Sequence, residues 1–202
     1  MKINTIRLRV VLGSLAMLLP WIVALLNGAF PSSISATYYV PQCITPFMGI
    51  LISSSILLMC YRGYDLQDDI ILSLSGVFGL LICLFPTYTT LYDRVGTFSV
   101  DVNISSTVHN IAAIIFFGLL AYNSFFLFTK GDENPTKNKK IRNIIYRVCG
   151  VGMIASFLIL LLPYFYIQVW LTEAFALSFF GISFLTKADV FPFLFCDTPY
   201  KD

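Results

Sequence analysis

Apolar residues in this chain gather into long, nearly uninterrupted runs, and polar residues collect between them. Six such runs cover roughly Val10–Phe30, Ile44–Tyr61, Ile70–Thr87, Val108–Thr129, Ile144–Leu162 and Val169–Thr186. Each approaches the ~20 residues that a helix needs to cross ~30 Å of hydrocarbon. A segment surrounded by lipid must pair its backbone N–H and C=O groups within itself, so such runs coil into helices. The period-two alternation of a membrane β-barrel is absent. The pattern therefore predicts an all-α, polytopic membrane protein: one six-transmembrane-helix bundle over residues 1–202.

Charge supports this reading. Only 12% of the residues are Asp, Glu, Lys or Arg, against about 25% in soluble domains. None of them lies between Arg9 and Arg62, a stretch from which no soluble surface can be made. Placing the N-terminus inside puts Lys2, Arg7, Arg9, Arg62, Lys130, Lys137, Lys139, Lys140, Arg142, Arg147, Lys187 and Lys201 on the inner side, and only Arg94 outside. The positive-inside rule thus predicts an N-in, C-in topology, and a plasma (bacterial inner) membrane is the expected location. Arg147 falls near the inner end of the fifth run, where it can snorkel to the interface. The run from Val10 is long enough to span, and no small-x-small cleavage site follows it, so it reads as an uncleaved first helix and not a signal peptide.

The connections differ in character. Pro31–Cys43 and Tyr88–Thr107 are outer loops, and Pro163–Gln168 is a tight outer turn. Arg62–Asp69 is a short inner loop in which Arg62 can pair with Asp65 or Asp69, and Lys130–Asn143 reads as a mobile, basic inner loop. The apolar strip Val190–Phe195 is expected to lie against the inner interface or fold back on the bundle. Gly76, Gly79, the Gly152/Ser156 pair and Gly181 mark places where helices can approach closely. The five cysteines are scattered and form no Cys-x-x-Cys pair, so neither a zinc nor a redox motif arises.

Candidate chemistry sits near the outer face. Glu173 is the one carboxylate embedded in a predicted span, and an ionisable residue there calls for a partner. His109, the only histidine, opens the fourth run at similar depth beside Asn110 and is the expected partner. Ser35 and Tyr38 in the first outer loop complete a candidate polar site: Ser35, Tyr38, His109, Asn110 and Glu173. Ser35, His109 and Glu173 form a serine–histidine–acid set by residue type, with no nucleophile-elbow motif around the serine. Against these stand plainer readings. Glu173 one turn into its helix can reach interfacial water, and His109 at a helix mouth can face headgroups. Tyr38, Tyr39, Tyr88, Tyr92, Tyr164 and Tyr166 fit an aromatic belt at the outer interface.

At the inner face, Lys137, Lys139, Lys140 and Arg142 form a cluster able to attract anionic lipid headgroups at about 1 kcal/mol per charge. The same cluster also serves as a topology signal. One histidine rules out a three-histidine zinc site within a single chain, so no metal is expected. Nothing resembles a P-loop, a dinucleotide fingerprint or a haem site, and no cofactor and no nucleic-acid partner is expected. Asn103-Ile-Ser105 is a glycosylation sequon on the outer side.

Several short motifs occur in a familiar order: the Ser32–Pro41 outer loop, Tyr61-Arg62 closing the second helix, Val108-His109-Asn110 opening the fourth, and Glu173 followed by Phe179-Phe180-Gly181 in the sixth. In this the chain resembles the damage-regulated autophagy modulator group of six-helix membrane proteins and bacterial membrane proteins of the same layout. The likeness covers about residues 10–186. It departs in the outer loop, which in the eukaryotic group reads Ser-Asp-Thr-Gly-like and here reads Ser-Ile-Ser-Ala-Thr without the acid. The resemblance implies a role in lipid handling and no defined catalytic reaction.

Three functions follow as expectations. The first is a non-enzymatic membrane protein that interacts with membrane lipids or regulates their organisation. The second is a membrane-embedded lipid hydrolase or transferase using His109 and Glu173. The third is a small transporter, for which the helices offer few polar residues to line a path.

Overall fold

The computed structural model describes residues 5–131 and 136–190. Its six helices are all long and apolar enough to cross a membrane, as the hydropathy pattern predicts. They are α1 (Thr5–Asn27), α2 (Pro41–Met59), α3 (Leu66–Leu84), α4 (Val102–Tyr122), α5 (Lys137–Ser156) and α6 (Gln168–Lys187). A π-helical turn, Asn123–Leu127, prolongs α4, and a 3-10 turn, Phe157–Leu161, prolongs α5. A further 3-10 turn, Ser35–Tyr39, lies between α1 and α2. Lys2, Cys196, Lys201 and the apolar strip beyond Val190 lie outside the described residues.

Several helices begin earlier than their apolar runs, because polar caps start them. Asp101 accepts the Asn103 N–H and opens α4, and Asp65 accepts the Asp68 N–H and opens α3. Thr136 accepts the Lys139 N–H and opens α5. This corrects the expected mobile loop Lys130–Asn143: its residues from Lys137 onward form the first turns of α5. With its 3-10 extension that helix spans 25 residues, about 37 Å at 1.5 Å per residue. Its basic turns can therefore stand clear of ~30 Å of hydrocarbon. The expected outer loop Tyr88–Thr107 is also partly ordered. It carries a hairpin of β1 (Arg94–Val95) and β2 (Val100–Asp101), the one departure from all-α structure among the described residues. Gly96 and Ser99 take positive φ in its turn.

Each helix packs on its neighbours in sequence, and α6 returns to α1, which closes a ring. Successive helices run antiparallel, so the chain's polar groups fall at two ends. One end, called here the basic end, gathers Arg9, Tyr61, Lys130, Lys139 and Lys187 through mutual contacts. The opposite end carries the Ser35–Tyr39 turn, the hairpin and the α5–α6 turn. The core inside the ring is built from Leu12, Phe47, Leu72, Phe116, Met153, Leu177 and Phe184, among others. The outer wall is also apolar: Leu25 is 81% exposed, Ile114 63% and Ile144 61%.

Small residues set how closely the helices approach. A Cβ on Gly13 of α1 would stand 2.9 Å from the Gly181 carbonyl oxygen of α6, and one on Gly181 would stand 2.7 Å from that of Gly13. Gly76 and Gly79 press α3 against Ser55 of α2, and Gly152 faces the Phe179 ring across α5 and α6. Gly181→Leu is expected to lower bundle stability by about 1–3 kcal/mol through overpacking. Gly49→Leu, which meets nothing within 4 Å, serves as the control. Thermal unfolding in detergent checks both, and equal melting temperatures would refute the close α1–α6 crossing.

Candidate functional site

At the end opposite the basic one, Glu173 projects from the second turn of α6 toward the 3-10 turn after α1. Its Oε2 accepts the Ile34 backbone N–H at 2.5 Å, and its Oε1 accepts the Ser35 hydroxyl at 3.0 Å. The same connection is tied to α6 once more, where the Trp170 N–H donates to the Ser32 carbonyl at 3.0 Å. Within it, Thr37 is buried and donates to the Ile34 carbonyl at 2.6 Å. Ser35 and Glu173 thus meet, and the carboxylate holds a loop against a helix.

Both residues line a central cavity of about 40 Å³ together with Leu19, Phe47, Ile82 and Phe116. A water needs about 10–15 Å³ of such space, so the cavity has room for a few. Pockets that enclose organic ligands run to about 300–1,000 Å³. A phospholipid headgroup does not fit.

His109 is placed elsewhere. It lies two turns inside α4, is 4% exposed, and its Nδ1 stands 2.8 Å from the Phe85 carbonyl oxygen. One turn earlier, the buried Ser105 hydroxyl donates to the Pro86 carbonyl at 2.8 Å. These two side chains satisfy carbonyls where α3 ends and the connection to α4 begins. The expected pairing of His109 with Glu173 is not formed: the bonds of Glu173 run to the connection after α1, and that of His109 to the Phe85 carbonyl at the end of α3. Asn110 is exposed. Tyr38 lies against Tyr39 in an edge-on contact and lines a separate 290 Å³ hollow with Tyr92 and Arg94. Tyr39 donates to the Thr87 carbonyl at 2.6 Å. Its phenol is pushed up to about 12, chiefly by burial and then by Tyr38.

The basic end holds a second polar assembly. Lys187, in the last turn of α6, is only 8% exposed. Its ammonium lies 4.7 Å from the Tyr64 ring, 5.2 Å from that of Phe128 and 5.6 Å from that of Tyr146, within cation–π range. It donates to the Phe128 carbonyl at 3.2 Å, as does Lys139. Arg9 reaches across from α1, donating to Tyr61 Oη at 2.8 Å and to the Lys187 carbonyl at 3.0 Å. Lys130 bridges Asp65 and Asp68, both at 2.8 Å. That bond, with the Asp68 N–H, holds the Asp65 carboxyl below its ordinary value. Arg62 pairs with Asp69 at 3.0 Å. Of the four expected headgroup residues, Lys137 and Lys140 are exposed, whereas Lys139 and Arg142 turn inward, Arg142 toward Asp189 at 3.3 Å.

Lys187 and Arg9 enter the sequence reading only as topology signals. A lysine in the last turn of a helix, where it can bond terminal carbonyls, is the local sign that marks the first. The aromatic side chains around it come from three other segments, which no local pattern connects. Among the described residues no group of three or more His, Cys, Asp or Glu is placed to hold a metal ion. No family model, curated protein or solved structure matches the chain.

Glu173→Ala removes the acceptor for two donors, one of them a backbone N–H. A loss of about 1–3 kcal/mol is expected, the cost of leaving a buried donor without its acceptor. Hydrogen exchange should quicken over residues 33–39 and stay unchanged in the Arg94–Asp101 hairpin. Ser35→Ala, which removes one donor only, should have a smaller effect. Unaltered exchange over 33–39 in the Glu173 variant would mean that the carboxylate does not hold that loop.

Proposed function

We propose that this chain is a multi-pass integral membrane protein with both termini on the cytoplasmic side, and that it binds and organises membrane lipid without turning it over. The observation that carries this is how its polar groups are used. Glu173, His109, Ser105, Lys187 and Arg9 all bond backbone atoms of loops or helix ends, so they complete the fold and are not aimed at a substrate. The side wall is an exposed apolar belt, which suits lipid tails. The cations gather at one end, which suits the cytoplasmic face and its anionic headgroups. The resemblance to the damage-regulated autophagy modulator group agrees with a lipid-linked role.

One contact favours a second reading. A serine hydroxyl 3.0 Å from a carboxylate has the geometry of a nucleophile beside a base. On that reading Ser35 and Glu173, without His109, would act in a lipid hydrolase or transferase. The 40 Å³ cavity argues against it, since a lipid ester must reach the hydroxyl.

Reporter fusions after Gly131 and Val190 are expected on the cytoplasmic side, and one after Tyr92 on the other. Purified protein should retain phosphatidylglycerol over phosphatidylcholine of the same chains, and Lys137→Gln with Lys140→Gln should weaken that preference. Fusions at Gly131 and Val190 on opposite faces, or no headgroup preference at all, would overturn the proposal. Phospholipid turnover by the wild type that Ser35→Ala and Glu173→Gln both abolish would establish the second reading instead.

A further inference from the structure

Outside the ring, α4 and α5 leave a long trough between them. Its volume is about 560 Å³, and its lining includes Gly118, Tyr122, Phe126, Val151, Ile154 and Leu158. Apart from the Tyr122 hydroxyl, which accepts from Gln67, these side chains are hydrocarbon or aromatic ring. The trough is wide for a definite reason. At Gly150 the two helices close up, since a Cβ there would stand 2.8 Å from Phe125 Cβ and 2.9 Å from the Ala121 carbonyl oxygen. At Gly118 there is open space, with no atom within 4 Å of where a Cβ would be.

Along α5 the lining runs from Gly150 to Leu158, about 12 Å of helix axis. One leaflet of hydrocarbon is about 15 Å deep, half of the ~30 Å core. The trough therefore matches the depth of a single leaflet. Arg147 stands one turn before Gly150 and Val151 on the same stripe of α5, at the basic-end mouth of the trough. It is exposed, and none of the ion pairs or hydrogen bonds among the described residues uses it. One further turn back, Asn143 Oδ1 is buried without a donor. A comparable apolar hollow of about 500 Å³ beside Trp21, Leu25 and Phe30 at the opposite end has no cation in its lining. Neither lining includes a cation, but the α4–α5 trough has Arg147 one helical turn beyond Gly150, and the hollow beside Trp21 has no such neighbour on α1.

We propose that this trough is a binding site for one acyl chain of an anionic glycerophospholipid of the cytoplasmic leaflet, whose phosphate pairs with Arg147. The chain lies between Phe126 and Val151 and ends near Gly118 and Leu158. The guanidinium supplies paired donors to the phosphate oxygens. This site rests on the lipid-binding role proposed above and names the lipid class and its place.

The test is native mass spectrometry of the full-length protein in detergent, incubated with phosphatidylglycerol or with phosphatidylcholine of the same chains. Arg147→Gln should weaken retention of phosphatidylglycerol about fivefold and leave phosphatidylcholine unchanged, in line with the attraction of one interfacial cation. Gly118→Leu fills the open floor of the trough and should reduce retention of both lipids. Unchanged melting temperatures confirm that each variant folds, and Gly118→Ala provides a milder filling should the leucine fail. Preferential retention of phosphatidylglycerol by the wild type that neither Arg147→Gln nor any Gly118 variant alters would overturn this site and leave the lipid-binding role standing. No preference in the wild type would remove that role as well. A dimer that Gly118→Leu dissociates would assign the trough to a second copy of the chain and not to lipid.

Discussion

The constraint on which the rest of this structure depends is that a backbone polar group shut away from water must find a partner within the protein. Helices meet it along their length and fail at their ends, where terminal N–H and C=O groups are left over. In this chain several polar side chains stand at those places. Glu173 takes the Ile34 N–H, His109 meets the Phe85 carbonyl, and Ser105 serves that of Pro86. Gln168 donates to the Ile159 and Leu162 carbonyls at the end of the 3-10 turn that prolongs α5. Lys139 and Lys187 share the Phe128 carbonyl, where the π-helical turn finishes. Of the residues that resemble catalytic machinery by type, His109 and Glu173 bond backbone groups, and Ser35 bonds Glu173.

This arrangement separates the molecule into regions with different work. The central cavity beside Glu173 is closed by internal bonds and leaves space only for a few waters. The wall between α4 and α5 leaves a trough of more than ten times that volume. The basic end combines inward cations that complete the fold with Lys137, Lys140 and Arg147, which remain exposed. The apolar seam and its positive rim are the surfaces on which the proposed lipid site rests, since a molecule with an apolar tail and an anionic head would complement both.

How much of this the sequence discloses depends on the range of the signal. Six helices follow from apolar runs, because lipid-length hydrophobicity is local and cumulative. Helix starts are also local, but they are written in polar residues. Asp65, Asp101 and Thr136 are N-caps that stand before their apolar runs, so hydropathy alone opens α3, α4 and α5 too late. The approach of Ser35 to Glu173 is consistent with both lying at the outer end of predicted spans. The partner of His109 is not legible in this way, because equal depth in a bundle does not specify which neighbour a side chain faces. Around the ring α3 lies next to α4 and so offers the Phe85 carbonyl to His109, while Glu173 of α6 is met by the connection that follows α1. The aromatic surround of Lys187 draws Tyr64, Phe128 and Tyr146 from separate segments and emerges only from tertiary packing.

The sixth helix shows why ionisable residues persist in so apolar a chain. It is the helix with the largest buried share of the six, and it packs on both α1 and α5. A helix in that position has little freedom to adjust, so its ends must be fixed by strong, directional contacts. Glu173 stands near the N-terminus and Lys187 in the last turn, the placement that the helix dipole favours for each sign of charge. Each then reaches beyond its own helix, Glu173 to the loop after α1 and Lys187 to the turn after α4. A glutamine at the first position would offer one acceptor oxygen where two donors converge. A leucine at the second would leave the Phe128 carbonyl with Lys139 alone among these partners. The two ionisable side chains are thus accounted for by the geometry of the most enclosed helix, and neither needs a substrate to explain its presence.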